Sequence, residues 1–184
     1  MKKIFLLSVA LITLLLTSCT TQRISTIVGG EYDAAKDVTE YFVVPFGSTK
    51  LPGKWEKIGY NNVSHQQFFK NSDGVTVAVV LGLCNKYEFN EDGLLHGFDF
   101  AKSFYEWESE YFKSQGFSSS LIESDKVNDF VVFRIYGKDC DTYFLTCEKN
   151  GRIGSFSVNY TDKWSESEKI EFLKILYREF TEKN

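Results

Sequence analysis

Two histidines, four cysteines and one carboxylate set among aromatic residues are where this chain of 184 residues would carry any chemistry. His65 opens a strand-like run and His96 stands in a loop beside Gly97. Neither has an acid or a serine at a recognisable spacing, and the two do not form a metal-binding pair on one helix face. No catalytic residue is assigned, and the chain is read as a non-enzyme. Cys140 and Cys147 are seven positions apart, an odd spacing that puts them on opposite faces of one strand. Cys147 shares its face with Tyr143 and Leu145 and reads as a core thiol. Cys84 and Cys140 both fall at strand ends and are the candidate disulfide. The chain has no Cys-x-x-Cys motif to support thiol redox chemistry, and three scattered thiols make a poor zinc site.

Glu108 is the carboxylate that stands apart. On a helical wheel over residues 98–115, Trp107, Phe100, Tyr111, Phe104, Ala101, Phe112 and Tyr105 fall on one face. Lys102, Glu106, Glu110 and Lys113 fall on the other, but Glu108 lies inside the apolar arc. A carboxylate there is costly unless paired, and burial raises its pKa. Glu108, Trp107 and Tyr111 are therefore the candidate ligand pocket. The competing reading has Glu108 meeting Tyr, Lys or backbone N–H groups at the helix margin. Trp55, Trp107 and Trp164 are a further candidate, as a stacking platform for sugar rings or a peptide. The turns Asn71-Ser72-Asp73-Gly74 and Asn90-Glu91-Asp92-Gly93, and the pair Asp139 and Asp141, offer oxygen ligands. None completes a calcium-loop spacing, and tight turns favour the same residues. No metal and no cofactor is called for.

The elements that would position these residues are legible from turn signals spaced every eight to twelve residues. Strands are expected over 41–44, 54–58, 65–70 and 75–81, the last two joined by the Asn71 turn. The helix over 98–115 stops at Gly116. A meander follows over 117–123, 130–136, 142–148 and 153–160, with Asn150-Gly151 as a tight hairpin. Ser165 and Glu168 have capping-box spacing and open a last helix lined by Phe172, Leu173, Leu176, Tyr177 and Phe180. The fold class is α+β: one domain with an antiparallel sheet flanked by two amphipathic helices.

The amino terminus fixes where such a domain is expected to reside. Lys2 and Lys3 precede an apolar run over 4–16, too short and too weakly flanked for a membrane span. Leu16-Thr17-Ser18-Cys19 then resembles the lipobox of bacterial lipoproteins. The resemblance implies a signal peptide over 1–18, cleavage before Cys19 and lipid on its thiol. Thr20, in place of Asp, implies sorting to the outer membrane, facing the periplasm. Residues 19–37, with Gly29-Gly30 and no sustained periodicity, read as a flexible tether, and 38–184 as the domain. The net charge of −4 becomes more negative once Lys2 and Lys3 are removed, which argues against nucleic acid as a partner.

The order of helix, four-strand meander and terminal helix is similar to the PsbP-like fold, which also occurs in DcrB-type envelope lipoproteins. Thr142-Tyr143-Phe144-Leu145, Asn150-Gly151, Ser155-Phe156-Ser157-Val158 and Trp164-Ser165 carry the likeness. The resemblance implies a non-catalytic binding or assembly module and transfers no functional residue. The leading expectation is thus a lipid-anchored envelope protein that binds or helps assemble another protein. The alternative is a periplasmic receptor for a small molecule or glycan, with its aromatic pocket around Glu108. A concave pocket holding Glu108 and Trp107 would favour the receptor; a large exposed apolar patch would favour protein binding.

Overall fold

Residues 25–183 are described by the structure, a computed structural model. The expected signal peptide, Cys19 and the first part of the expected tether lie outside the described residues. Eleven strands and two long helices follow in the order β1 (Ile27–Gly29), β2 (Tyr32–Asp33), β3 (Val38–Val44), β4 (Gly47–Pro52), β5 (Glu56–Asn61), β6 (Gln66–Lys70), β7 (Thr76–Leu83), α1 (Gly97–Ser114), β8 (Ser118–Asp125), β9 (Phe130–Gly137), β10 (Cys140–Lys149), β11 (Arg152–Val158) and α2 (Glu166–Lys183). Two single-turn 3-10 segments, Cys84–Lys86 and Glu88–Asn90, lie between β7 and α1. Among the described residues no helix is long and apolar enough to cross a membrane.

Seven strands form one antiparallel sheet in the order β5-β6-β7-β11-β10-β9-β8. In the smaller sheet β3 is central, with β4 on one edge and both β1 and β2 on the other. Alternation along the central strands of the large sheet fills two cores. Val77, Val79, Tyr143, Leu145, Cys147 and Phe156 face α2 and the small sheet, meeting Leu173, Leu176, Phe180, Tyr41 and Leu51. Val131, Phe133, Ile135, Phe144 and Ile153 face α1 and meet Phe100, Ala101 and Phe104. Each such Phe or Leu contributes about 2–3 kcal/mol by leaving water, which makes the two-sided sheet the dominant stabilising unit. The chain is an α+β protein with helices on both faces of its main sheet.

Local chemistry stops the helices where the sequence says. Gly116 adopts φ +85°, and the N–H groups of Gly116 and Phe117 return to the carbonyls of Lys113 and Phe112, both at 3.0 Å. At α2, the Ser165 N–H donates to Glu168 at 2.7 Å and the Glu168 N–H donates to the Ser165 hydroxyl at 3.3 Å. Asn150 and Gly151 both take positive φ, as a tight hairpin between β10 and β11 requires.

One expectation needs correction. Within the stretch 19–37 read as tether, β1 and β2 pair with β3, so the folded body begins before residue 38. A strand outside the expected set, β4, forms because Thr49 and Leu51 point inward beneath α2.

Candidate functional site

Unequal strands create an aromatic-walled cavity. β6 pairs with β7 only from Gln67↔Val79 to Lys70↔Thr76. His65 takes φ +55°, which turns the chain away before it can meet Leu81. β7 nevertheless runs on to Leu83, held along its other edge by β11. Its last residues therefore end beside a space instead of a strand, and a cavity of about 690 Å³ opens there.

Residues from both sides of the sheet line this cavity. From the α1 side come Phe104, Trp107, Glu108, Tyr87 and Glu88. From the small-sheet side come Val28, Tyr41, Val43 and Phe46, while Tyr60, Val63 and His65 of the β5–β6 turn close the rim. Val80, Leu81, Gly82 and Leu83 form its floor. The aromatic wall is held rigidly. Tyr87 meets Phe104 and Trp107 edge-on at 5.3 and 5.8 Å, and the Trp107 indole N–H donates to Glu88 at 2.5 Å. At the rim the Tyr60 hydroxyl and the His65 Nδ1 share a hydrogen bond of 3.0 Å.

Glu108 brings a carboxylate into this wall with no hydrogen bond or ion pair among the described residues. Burial pushes its pKa up to about 7 from the ordinary 4.5. The Tyr87 phenol, raised by burial first and by the nearby Glu108 charge second, also lacks a hydrogen-bond partner among the described residues. A mostly apolar cavity with these two unengaged polar ends can orient a ligand that brings its own donors.

Of the expected pocket residues, Glu108 and Trp107 line the cavity and Tyr111 does not. Tyr111 is 56% exposed, with its ring edge-on to Phe112, and it is Phe112 that turns inward at this end of α1 to meet Phe117 and the core. The tryptophan platform is absent: Trp55 and Trp164 pack against Phe172 in the α2 core, on the far side of the sheet from Trp107. The expected Cys84–Cys140 disulfide does not form either, and Cys84, Cys140 and Cys147 are free thiols. Through β11, the Leu83 end of β7 aligns with the Lys149 end of β10, whereas Cys140 begins β10. Nine strand positions separate the two thiols, roughly 30 Å, against the roughly 7 Å limit for a bridge.

The acidic loops spend their oxygens on their own backbone. Asn71 Oδ1 accepts from Asp73 and Val75, and buried Asn90 bonds to both backbone groups of Leu95. Asp141 binds Arg134 through two hydrogen bonds of 2.6 and 3.0 Å. His96 lies 3.8 Å from Glu148, whose carboxylate is engaged by the N–H groups of Gly97 and Gly151. Among the described residues no three His, Cys, Asp or Glu side chains gather as a metal-binding group. Sequence reasoning missed Tyr87, Glu88 and the overhanging end of β7. The first two lie in a short irregular segment with no period to read, and the overhang depends on where two strands stop pairing.

No family model matches the chain, and no curated protein matches it in sequence. Among solved structures the chain is similar to the solution structure of cyanobacterial PsbP (CyanoP) from Synechocystis sp. PCC 6803, at 14% identity and a TM-score of 0.48. The similarity covers 90% of this chain and 98% of that one.

Proposed function

We propose that this chain is a lipid-anchored, non-catalytic binding protein of the bacterial envelope, and that it holds an envelope protein partner in the cavity at the end of β7. The mostly apolar, aromatic-walled space with Glu108 and Tyr87 unengaged marks the binding site and by itself suits a small ligand equally. The observation that carries a protein occupant is the end of β7, which borders that space with no described strand on its β6 side. Apolar side chains at the mouth, Val28 at 51% and Val63 at 91% exposure, extend the site outward as a macromolecular partner would need. The anchor rests on Leu16-Thr17-Ser18-Cys19 and the basic and apolar residues before it. About seven residues separate Cys19 from Thr26 at the cavity, so the site would lie within roughly 25 Å of the lipid. Outer-membrane sorting, with the domain in the periplasm, follows the Thr20 reading.

The cavity volume favours a second reading. A space of about 690 Å³ falls in the range of roughly 300–1,000 Å³ usual for small ligands, so a small molecule or glycan is the alternative occupant.

Gly82 makes the test clean. It sits on the cavity floor, and a Cβ there would meet only Ile153 at 3.7 Å, so Gly82→Val fits the strand and puts an isopropyl group on the cavity floor. Crosslinking pull-downs from native envelopes would compare the unaltered chain with Gly82→Val and Cys19→Ala. A protein recovered with the unaltered chain and reduced with both variants is expected. Equal recovery with Gly82→Val would refute the cavity as the binding site.

A further inference from the structure

The free end of β7 carries directional hydrogen-bonding groups as well as space. Cys84 N–H donates to the Gly151 carbonyl at 3.1 Å, and Asn159 N–H donates to the Thr76 carbonyl at 3.0 Å. These two bonds fix the phase of the ladder: even-numbered residues of β7 bond toward β11. Odd-numbered residues bond toward β6, as the Asn71 N–H to Val75 carbonyl bond of 3.2 Å shows. Leu81 and Leu83 are the next two in that series, and no described strand pairs with them on that side. Their N–H and C=O groups thus point into the cavity at the two-residue repeat of a strand edge.

We propose that the cavity takes an extended peptide segment of a partner protein, added as a short strand to Leu81 and Leu83, with a lysine or arginine side chain directed at Glu108. This rests on the reading of the cavity as a binding site and names what binds there. An added strand sends alternate side chains to opposite faces of the sheet. That matches a cavity with Phe104 and Glu108 on one face and Tyr41 and Val43 on the other. One set of peptide side chains would be apolar, against Tyr41 and Val43. The other would include the cation, because Glu108 is an acceptor without a donor, and Glu88 beside it is also acidic and already bound to Trp107. Lys86 and His65 lie at the rim, leaving the two carboxylates as the charged groups of the aromatic wall. A glycan or an amphiphile would occupy the same volume but has no reason to match the two-residue repeat of the edge.

The test uses the full chain in detergent with three probes at up to millimolar concentration. They are capped pentapeptides alternating valine with lysine, the same peptides N-methylated at alternate backbone amides, and hexylamine. Amide hydrogen exchange at Leu81 and Leu83 reports the edge, and the Trp107 indole resonance reports the cavity. The capped peptides are expected to slow exchange at both leucines by at least about tenfold, and the N-methylated peptides to leave it unchanged. Glu108→Gln is expected to weaken the lysine peptides at least about fivefold while leaving a valine–serine series unaffected. Trp107 shifts with unaltered exchange at Leu81 and Leu83 would overturn strand addition while leaving the cavity as a binding site. Equal binding of methylated and unmethylated peptides would do the same. No response of Trp107 or of the two amides to any probe would overturn both.

Discussion

Glu148 on β10 accepts the backbone N–H of Gly97, the first residue of α1 and 51 positions earlier in the chain. The same carboxylate accepts the Gly151 N–H at 2.5 Å, and Asp129 accepts the N–H of Phe98 at 3.0 Å. The first donors of α1 are therefore met by carboxylates of the sheet, with no side-chain cap from the residue before it. This pins one end of the helix to the β9–β11 region. Glu108 then projects from a fixed axis about three turns further on.

Breaking that pin should be expensive. Glu148→Ala leaves two N–H groups without their acceptor and a gap where a buried side chain stood, and a loss of about 2–4 kcal/mol is expected. Glu148→Gln keeps one acceptor and should lose about half as much. Urea unfolding of both variants measures this, with the larger loss expected for alanine.

Glu108 should make stability fall as pH rises. Its folded pKa of about 7 stands above the ordinary 4.5, so the folded state binds the proton more tightly than the unfolded chain. The penalty is absent below pH 4.5, grows between 4.5 and 7, and is complete above 7. Glu108→Gln should match the unaltered chain at pH 4 and exceed it by about 2–3 kcal/mol at pH 8. Unfolding at the two pH values checks the sign. A variant less stable at pH 8 would mean that the carboxylate has a partner.

The three thiols should react unequally. Cys84 and Cys147 are buried, and burial raises both thiol pKa values, whereas Cys140 is partly accessible. In a Cys19→Ala background, about one thiol per chain should react quickly with a thiol reagent under native conditions and about three after unfolding. A result of one thiol after unfolding without reductant would indicate a disulfide.

Ser165→Ala should cost about 1 kcal/mol, since it removes the acceptor for the Glu168 N–H at the start of α2. Thermal unfolding should show the loss, and Ser165→Asp should restore most of it.

The sequence is most legible where a period or a turn chemistry extends over enough residues. The stripe of α2, the Gly116 stop, the Ser165 box and the Asn150-Gly151 hairpin all act locally, and each stands where its residues require. β1 and β2, at three and two residues, are too short to show alternation, and β4 hides two inward residues among polar ones. Glu108 and Trp107 could be found because a helical wheel places them on the inner face. Tyr111 shares that face on the wheel, but at this end of α1 the inward place is taken by Phe112. Likewise Cys84 and Cys140 are both at strand ends, yet only the sheet register shows that these are opposite ends. The free groups of Leu81 and Leu83 depend on the Gln67↔Val79 register, which no local pattern encodes.

The central claim is that the cavity at the end of β7 holds a partner in the cell. A photo-crosslinking amino acid at Lys86, an exposed residue on the cavity rim, tests it most directly. The expected result is a discrete protein adduct from that position that weakens when Gly82→Val intrudes on the floor. The same adduct undiminished in Gly82→Val, or no adduct from Lys86 while a probe at the distant Lys138 captures one, would contradict it.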